Sequence, residues 1–191
     1  MEIISKSVND TLKIGKAIAG NLRQGDIICL FGELGTGKTV LAKGIAQGLG
    51  IERSKIISPS FILMRLYTQG RLPLCHFDLY RLKSLQDIMA LGYEECIYDK
   101  GVTVIEWADR LRYLLPSECL KIKLSIKGDK QRLLVFKAPG RRYKELLAKI
   151  YETPPFLRGG VQIERKSGVN PALPKGWGTD REEEQGEDIR H

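Results

Sequence analysis

A three-layer α/β fold with a mixed parallel and antiparallel central sheet is what this sequence predicts, and three observations carry the prediction. Asp26–Phe31 is a short apolar run suited to a buried strand, and it leads through a glycine-rich loop into Thr39–Leu49, where apolar residues recur at helical spacing. A second apolar run, Val102–Ile105, ends in Glu106, at the strand end where open α/β sheets place their ligand groups. Two pairs of strand-like segments are joined by the polar turns Gln69-Gly70-Arg71 and Lys127-Gly128-Asp129-Lys130, so part of the sheet is antiparallel.

The elements follow in order. The chain opens with a strand near Ile3 and a helix over Asp10–Leu22, with Ser7 and Asp10 spaced as a capping box. The strand Asp26–Phe31 and the helix Thr39–Leu49 come next, and Gly50 stops that helix. Phe61–Thr68 and Leu72–Leu79 form the first hairpin. Ser84–Leu91 is a short helix with Asp87 three residues past its cap, and Val102–Glu106 returns to the sheet centre. Leu120–Ile126 and Arg132–Ala138 form a second hairpin, expected at the sheet edge. Arg141–Tyr151 is a last helix, after which Thr153-Pro154-Pro155 breaks the pattern. Residues 1–150 therefore read as one domain, and residues 151–191, rich in Gly, Pro and charge, as a flexible tail.

The loop itself is the strongest chemical signal. Gly32-Glu33-Leu34-Gly35-Thr36-Gly37-Lys38-Thr39 fits the phosphate-loop pattern G-x-x-x-x-G-K-[ST] in the required strand, loop, helix context. Its glycines let the backbone N–H groups wrap an anion at the positive end of the helix dipole. Lys38 is expected to reach the β- and γ-phosphates, and the Thr39 hydroxyl to take a coordination site on Mg²⁺. No Asn-Lys-x-Asp guanine signature occurs, which favours ATP over GTP.

Phosphoryl transfer needs carboxylates beyond the loop. Two stand out. In Leu74-Cys75-His76-Phe77-Asp78-Leu79-Tyr80-Arg81, a strand's period of two puts His76, Asp78 and Tyr80 on one face and Cys75, Phe77 and Leu79 on the other. Glu106, followed by Trp107, is the second. Between the loop helix and Asp78 lies Ile56-Ile57-Ser58-Pro59-Ser60-Phe61, where Ser58 or Ser60 offers a hydroxyl to Mg²⁺ or to the γ-phosphate.

Composition bounds the rest. The 191 residues are enough for a real core, and 42% hydrophobic content without a long apolar stretch argues against a transmembrane helix. With no signal-peptide pattern at the N-terminus, the expected location is the cytoplasm. The four cysteines lack C-x-x-C spacing and His76 and His191 are the only histidines, so structural zinc is not expected and the thiols are read as buried. Net charge is +8, with +10 in residues 1–150 and −2 in residues 151–191. That basic surface suits ATP, tRNA or an acidic protein, but no RNA-recognition motif or aromatic stacking set accompanies it.

The order of phosphate loop, Ser-Pro-Ser-Phe, His-Phe-Asp-Leu-Tyr-Arg and Ile-Glu-Trp resembles the TsaE family, also called YjeE, over roughly Ile3 to Gly140. The resemblance implies a small Mg²⁺-dependent ATPase, weak alone, that assists a TsaB–TsaD complex in making threonylcarbamoyladenosine in tRNA. It implies that Gly32 to Thr39 binds ATP, with Lys38 on the phosphates and Thr39 on Mg²⁺. It implies further that Asp78 is a metal-shell ligand, that Glu106 orients water or adds to the metal shell, and that Trp107 lies near the nucleotide. Ser60 stands where the family usually has threonine and keeps the hydroxyl. Two other readings stay open at the level of the residues, a kinase and a nucleotide-dependent binding module with negligible turnover.

Overall fold

The computed structural model describes residues 1–57, 63–82, 84–98, 101–152 and 162–164. Its strands are β1 (Glu2–Ser5), β2 (Ile27–Phe31), β3 (Met64–Tyr67), β4 (Leu74–Asp78), β5 (Val102–Glu106), β6 (Leu120–Ile126), β7 (Arg132–Lys137) and β8 (Gln162–Glu164). The helices are α1 (Val8–Gly20), α2 (Lys38–Gly48), α3 (Leu85–Met89), α4 (Tyr93–Tyr98) and α5 (Gly140–Glu152), with 3₁₀ turns at Arg53–Lys55 and Ala108–Leu114.

The strands form a single sheet in the order β3-β4-β5-β2-β6-β7-β1-β8. The central four, β4, β5, β2 and β6, run parallel, whereas the pairs β3–β4, β6–β7, β7–β1 and β1–β8 are antiparallel. Every residue of β2, β4 and β5 is buried, as expected of strands covered on both faces. The period of two sorts them into two cores. Ile28 and Leu30, with Val102, Val104 and Ile122, pack under α1, α2 and α5. Ile27, Cys29 and Phe31, with Phe77 and Ile105, pack against Ile88 of α3, Tyr93 of α4 and Leu111 of the 3₁₀ turn. These are the three layers.

Helix α1 begins at Ser7, whose hydroxyl accepts the Asp10 N–H at 3.1 Å. The Asp10 carboxylate accepts from Lys6 N, not from Ser7 N, so the reciprocal arm of the expected box is displaced by one residue. The full box closes instead at α3, between Ser84 and Asp87. Helices α1 and α2 approach closely because a Cβ on Gly44 would lie 2.5 Å from the Leu12 carbonyl oxygen.

Three expectations need correcting. The β6–β7 hairpin is not at the sheet edge, because β1 pairs with β7 and β8 pairs with β1. Helix α4 was not anticipated; its six residues are too few to show a helical period. The cysteines are not all free: Cys75 and Cys96 form a disulfide, while Cys29 and Cys119 are buried thiols. Most of the stretch read as a tail lies outside the described residues, as do Ser58, Pro59, Ser60 and Phe61.

Candidate functional site

The ends of β2, β4 and β5 meet at one level of the sheet. Leu30 of β2 is registered with Glu106, and Glu106 with Asp78 of β4. From this level the loop Gly32–Gly37 climbs out of β2 and turns into α2. Gly37 takes φ 99° at the N-cap, a conformation that a side chain strains. Gly32 has φ 132°, and a Cβ there would sit 2.2 Å from the Leu124 carbonyl oxygen, so β6 holds the base of the loop from behind.

The loop closes on its own lysine. Lys38 Nζ donates to the carbonyls of Gly32 at 2.7 Å and Glu33 at 2.9 Å, and lies 3.8 Å from the centre of the Trp107 ring. The side chain is buried, and burial lowers its pKa from the ordinary lysine value, against the opposing pull of Glu106 first and then Asp109, Asp78 and Glu33. The Thr36 hydroxyl donates to the Glu33 carbonyl at 2.8 Å and fixes the turn beneath it.

Thr39, the first threonine of α2, donates its hydroxyl to Glu106 Oε2 at 2.7 Å. The other carboxylate oxygen, Oε1, is 2.9 Å from His76 Nε2. Both His76 and Glu106 are only 1% exposed, so the chain running from β4 through β5 to the loop helix is buried up to Glu106 and part-buried where it reaches Thr39. With Glu106 ionised, the proton in that contact is on His76 Nε2, since a carboxylate only accepts. Asp78 Oδ1 accepts the Tyr80 N–H at 3.1 Å, and the Tyr80 ring lies 4.8 Å from that of Trp107. Trp107 itself has φ 58°, a left-handed turn that swings the indole back over the loop as β5 ends.

A cavity of about 300 Å³ opens among Lys38, Thr39, Asp78, Glu106 and Trp107, with Leu34 and Gly35 on its loop side. The structure thus brings together Lys38, Thr39, Asp78, Glu106, Trp107 and the loop glycines, all of which were named from sequence. The donor set fits a nucleotide with Mg²⁺. It offers a threonine hydroxyl and carboxylates beside an ammonium. Among the described residues no cage of three His, Cys, Asp or Glu side chains exists. Contacts beyond the single motifs escaped the sequence reading. Tyr80 stacks on Trp107, and Arg132 of β7 donates to the Gly35 carbonyl at 3.4 Å across 97 residues, for which no local pattern gives a signal.

Comparison with known proteins places this arrangement among relatives. Residues 5–134 match the family described as threonylcarbamoyl adenosine biosynthesis protein TsaE, so β8 and α5 lie beyond the match. The tRNA threonylcarbamoyladenosine biosynthesis protein TsaE of Treponema pallidum is 42% identical over 132 residues, 69% of this chain and 96% of the relative. The protein of that name from Bacillus subtilis is 40% identical over 137 residues, 72% of this chain and 85% of the relative. The crystal structure of Bacillus subtilis YdiB superposes with a TM-score of 0.70 at 34% identity, covering 80% of this chain and 94% of that one.

Proposed function

Because the chain belongs to the TsaE family and so to threonylcarbamoyladenosine modification of tRNA, we propose that it is a Mg²⁺-dependent ATPase whose hydrolysis resets a TsaB–TsaD complex. The observation that carries this reading is the hydrogen-bonded chain Thr39–Glu106–His76 beneath a phosphate loop whose lysine is already in place. ATP docks on the loop from Gly32 to Thr39, with Trp107 beside it. Lys38 exchanges the Gly32 and Glu33 carbonyls for β- and γ-phosphate oxygens, a contact that strengthens as charge develops in the transition state.

Thr39, Asp78 and Glu106 are the residues that would hold a Mg²⁺ shell, and the ion would supply neutralisation of the charge on the phosphates. Glu106 fixes the Thr39 hydroxyl and is itself fixed by His76. Asp78 lines the cavity on the same strand-end level, and the attacking water is oriented by Glu106 or Asp78. Water oxygen bonds to the γ-phosphorus, the bond to the β–γ bridging oxygen breaks with its electron pair staying on ADP, the water's proton passes to the phosphate product, and ADP and phosphate leave. The low rate expected of the protein alone follows from an acid set that positions rather than strips a proton, so that partner binding must complete the geometry. Transfer RNA is reached through the partners. Among the described residues no helix is long and apolar enough to cross a membrane, and the cytoplasm is the proposed location.

The test is phosphate release from ATP by the purified chain, alone and with TsaB, TsaD and tRNA. Slow release that rises severalfold with the partners is expected. Brisk release indifferent to them, or label passing from ATP to an acceptor, overturns the switch in favour of another ATPase role or a kinase.

A further inference from the structure

A groove of about 640 Å³ lies apart from the nucleotide cavity, between α3 and the 3₁₀ turn Ala108–Leu114. Ile88 and Met89 form one side; Leu114, Tyr113, Arg110 and Arg112 form the other. Met89 and Tyr113 are 38% and 77% exposed, large apolar side chains facing solvent across a common cleft. Among the described residues the charges that line it are two guanidiniums. Among the described residues Arg112 donates no side-chain hydrogen bond, and Arg110 has only the exposed Asp109 at 4.0 Å.

The walls continue from the strands that carry the acids. β4 ends at Asp78 and runs on through Leu79 and Leu82 to α3, while β5 ends at Glu106 and runs on through Trp107 into the 3₁₀ turn. The two continuations are tied together, since Leu79 N donates to the Glu106 carbonyl at 3.2 Å and Leu82 N to the Leu79 carbonyl at 3.1 Å. The Tyr93 hydroxyl pins the far end by donating to the Leu114 carbonyl at 2.8 Å. Arg112 within this turn is held at φ 50°, ψ −117°, and backbone strain of that kind persists where surroundings enforce it and concentrates at clamps and switches.

We infer that this groove is the docking site for an acidic segment of a partner protein, one that seats a bulky apolar side chain between Met89 and Tyr113 and pairs carboxylates with Arg110 and Arg112. The inference rests on the proposed function, because it names where the partner complex bears on the ATPase. Charge decides the occupant. Two cations on an apolar floor complement a short acidic, apolar peptide segment, whereas a nucleic-acid backbone calls for a longer basic track. A second copy of this chain, at net charge +8, is a poor match for a cationic groove. Once seated, the segment presses on both strand continuations, so the carboxylates of Asp78 and Glu106 sense its presence without touching it.

The test uses the full chain with the double substitution Arg110→Glu and Arg112→Glu, and separately Tyr113→Ala. All three side chains are exposed, and unchanged melting and unchanged ATP affinity of the isolated protein verify the fold. Binding to purified TsaB–TsaD is expected to weaken about tenfold or more, with stimulated phosphate release falling to the partner-free rate. Variants that bind and respond within twofold of wild type overturn the groove while leaving the functional reading intact. Loss of tRNA binding without the proteins, or a changed oligomeric state, reassigns the groove to nucleic acid or to self-association and overturns the inference. Wild-type protein that neither binds nor responds to TsaB–TsaD overturns the functional reading, and the groove proposal falls with it.

Discussion

Lys38 carries its charge in a place where burial works against it, and the carbonyls of Gly32 and Glu33 compensate until phosphate arrives. Lys38→Ala is expected to weaken ATP binding by about tenfold to a hundredfold, the worth of a charged hydrogen bond, and to abolish turnover. Wild-type hydrolysis in that variant would falsify the site. Glu106→Gln keeps the acceptor for Thr39 but removes the charge. It is expected to leave ATP affinity within a fewfold and slow stimulated phosphate release by about a hundredfold, as seen when one fixed electrostatic group is lost; titration with ATP and a phosphate assay separate the two. The loop was legible in the sequence because its eight residues are contiguous and the chemistry needs each in turn. The face shared by His76 and Asp78 was legible from the strand period. The bond from His76 to Glu106 was not, because it depends on β4 lying parallel to β5 in a register that no short window contains.

At the level of elements, α5 does more than cover the sheet. Its Tyr143 hydroxyl accepts the N–H of Ile27, the first residue of β2, at 2.9 Å, and Arg142 pairs with Asp26 just before that strand. Tyr143→Phe leaves the Ile27 N–H unsatisfied in the core and is expected to cost about 1–3 kcal/mol in denaturant unfolding. Burial raises the Tyr143 pKa above the ordinary 10.0, so the folded protein keeps this proton longer than the unfolded chain. Its stabilising contribution is complete below pH 10 and is lost as pH climbs through the raised value. Wild type should therefore lose stability above pH 10 by a component that the Phe variant lacks, and parallel alkaline melting curves for the two proteins would contradict this. Helix α5 was legible from its spacing of Tyr143, Leu146 and Ile150, but its contact with β2 spans 116 residues and was not. The Cys75–Cys96 disulfide was missed for a related reason. The partners are 21 residues apart, and only the fold of α4 against β4 brings them together.

For the whole molecule, the predicted α/β class with a mixed sheet is the fold observed, and β2 lies between β5 and β6 as a phosphate-loop strand should. Strand order was the least legible feature, since β1, first in the chain, sits beside β7 and next to the edge. Adjacency in sequence settles hairpins but not such returns. The described residues beyond Glu152, Gln162–Glu164, form β8, a three-residue strand on β1 that stands far from the loop in strand order. Truncation after Glu152 is expected to preserve nucleotide binding and phosphate release and to lower the melting temperature by about 2–4 °C, the shift that 1 kcal/mol gives at this size. A fall several times larger would mean that the distal residues pack on the domain. The pairing of β8 with β1 has a consequence in a crowded solution. Its removal bares one main-chain edge of Glu2–Ile4, and a neighbouring molecule can fill the place that β8 had taken. The shortened protein would then be limited by how concentrated it is rather than by how hot, and light scattering across a dilution series would register this before any calorimeter did.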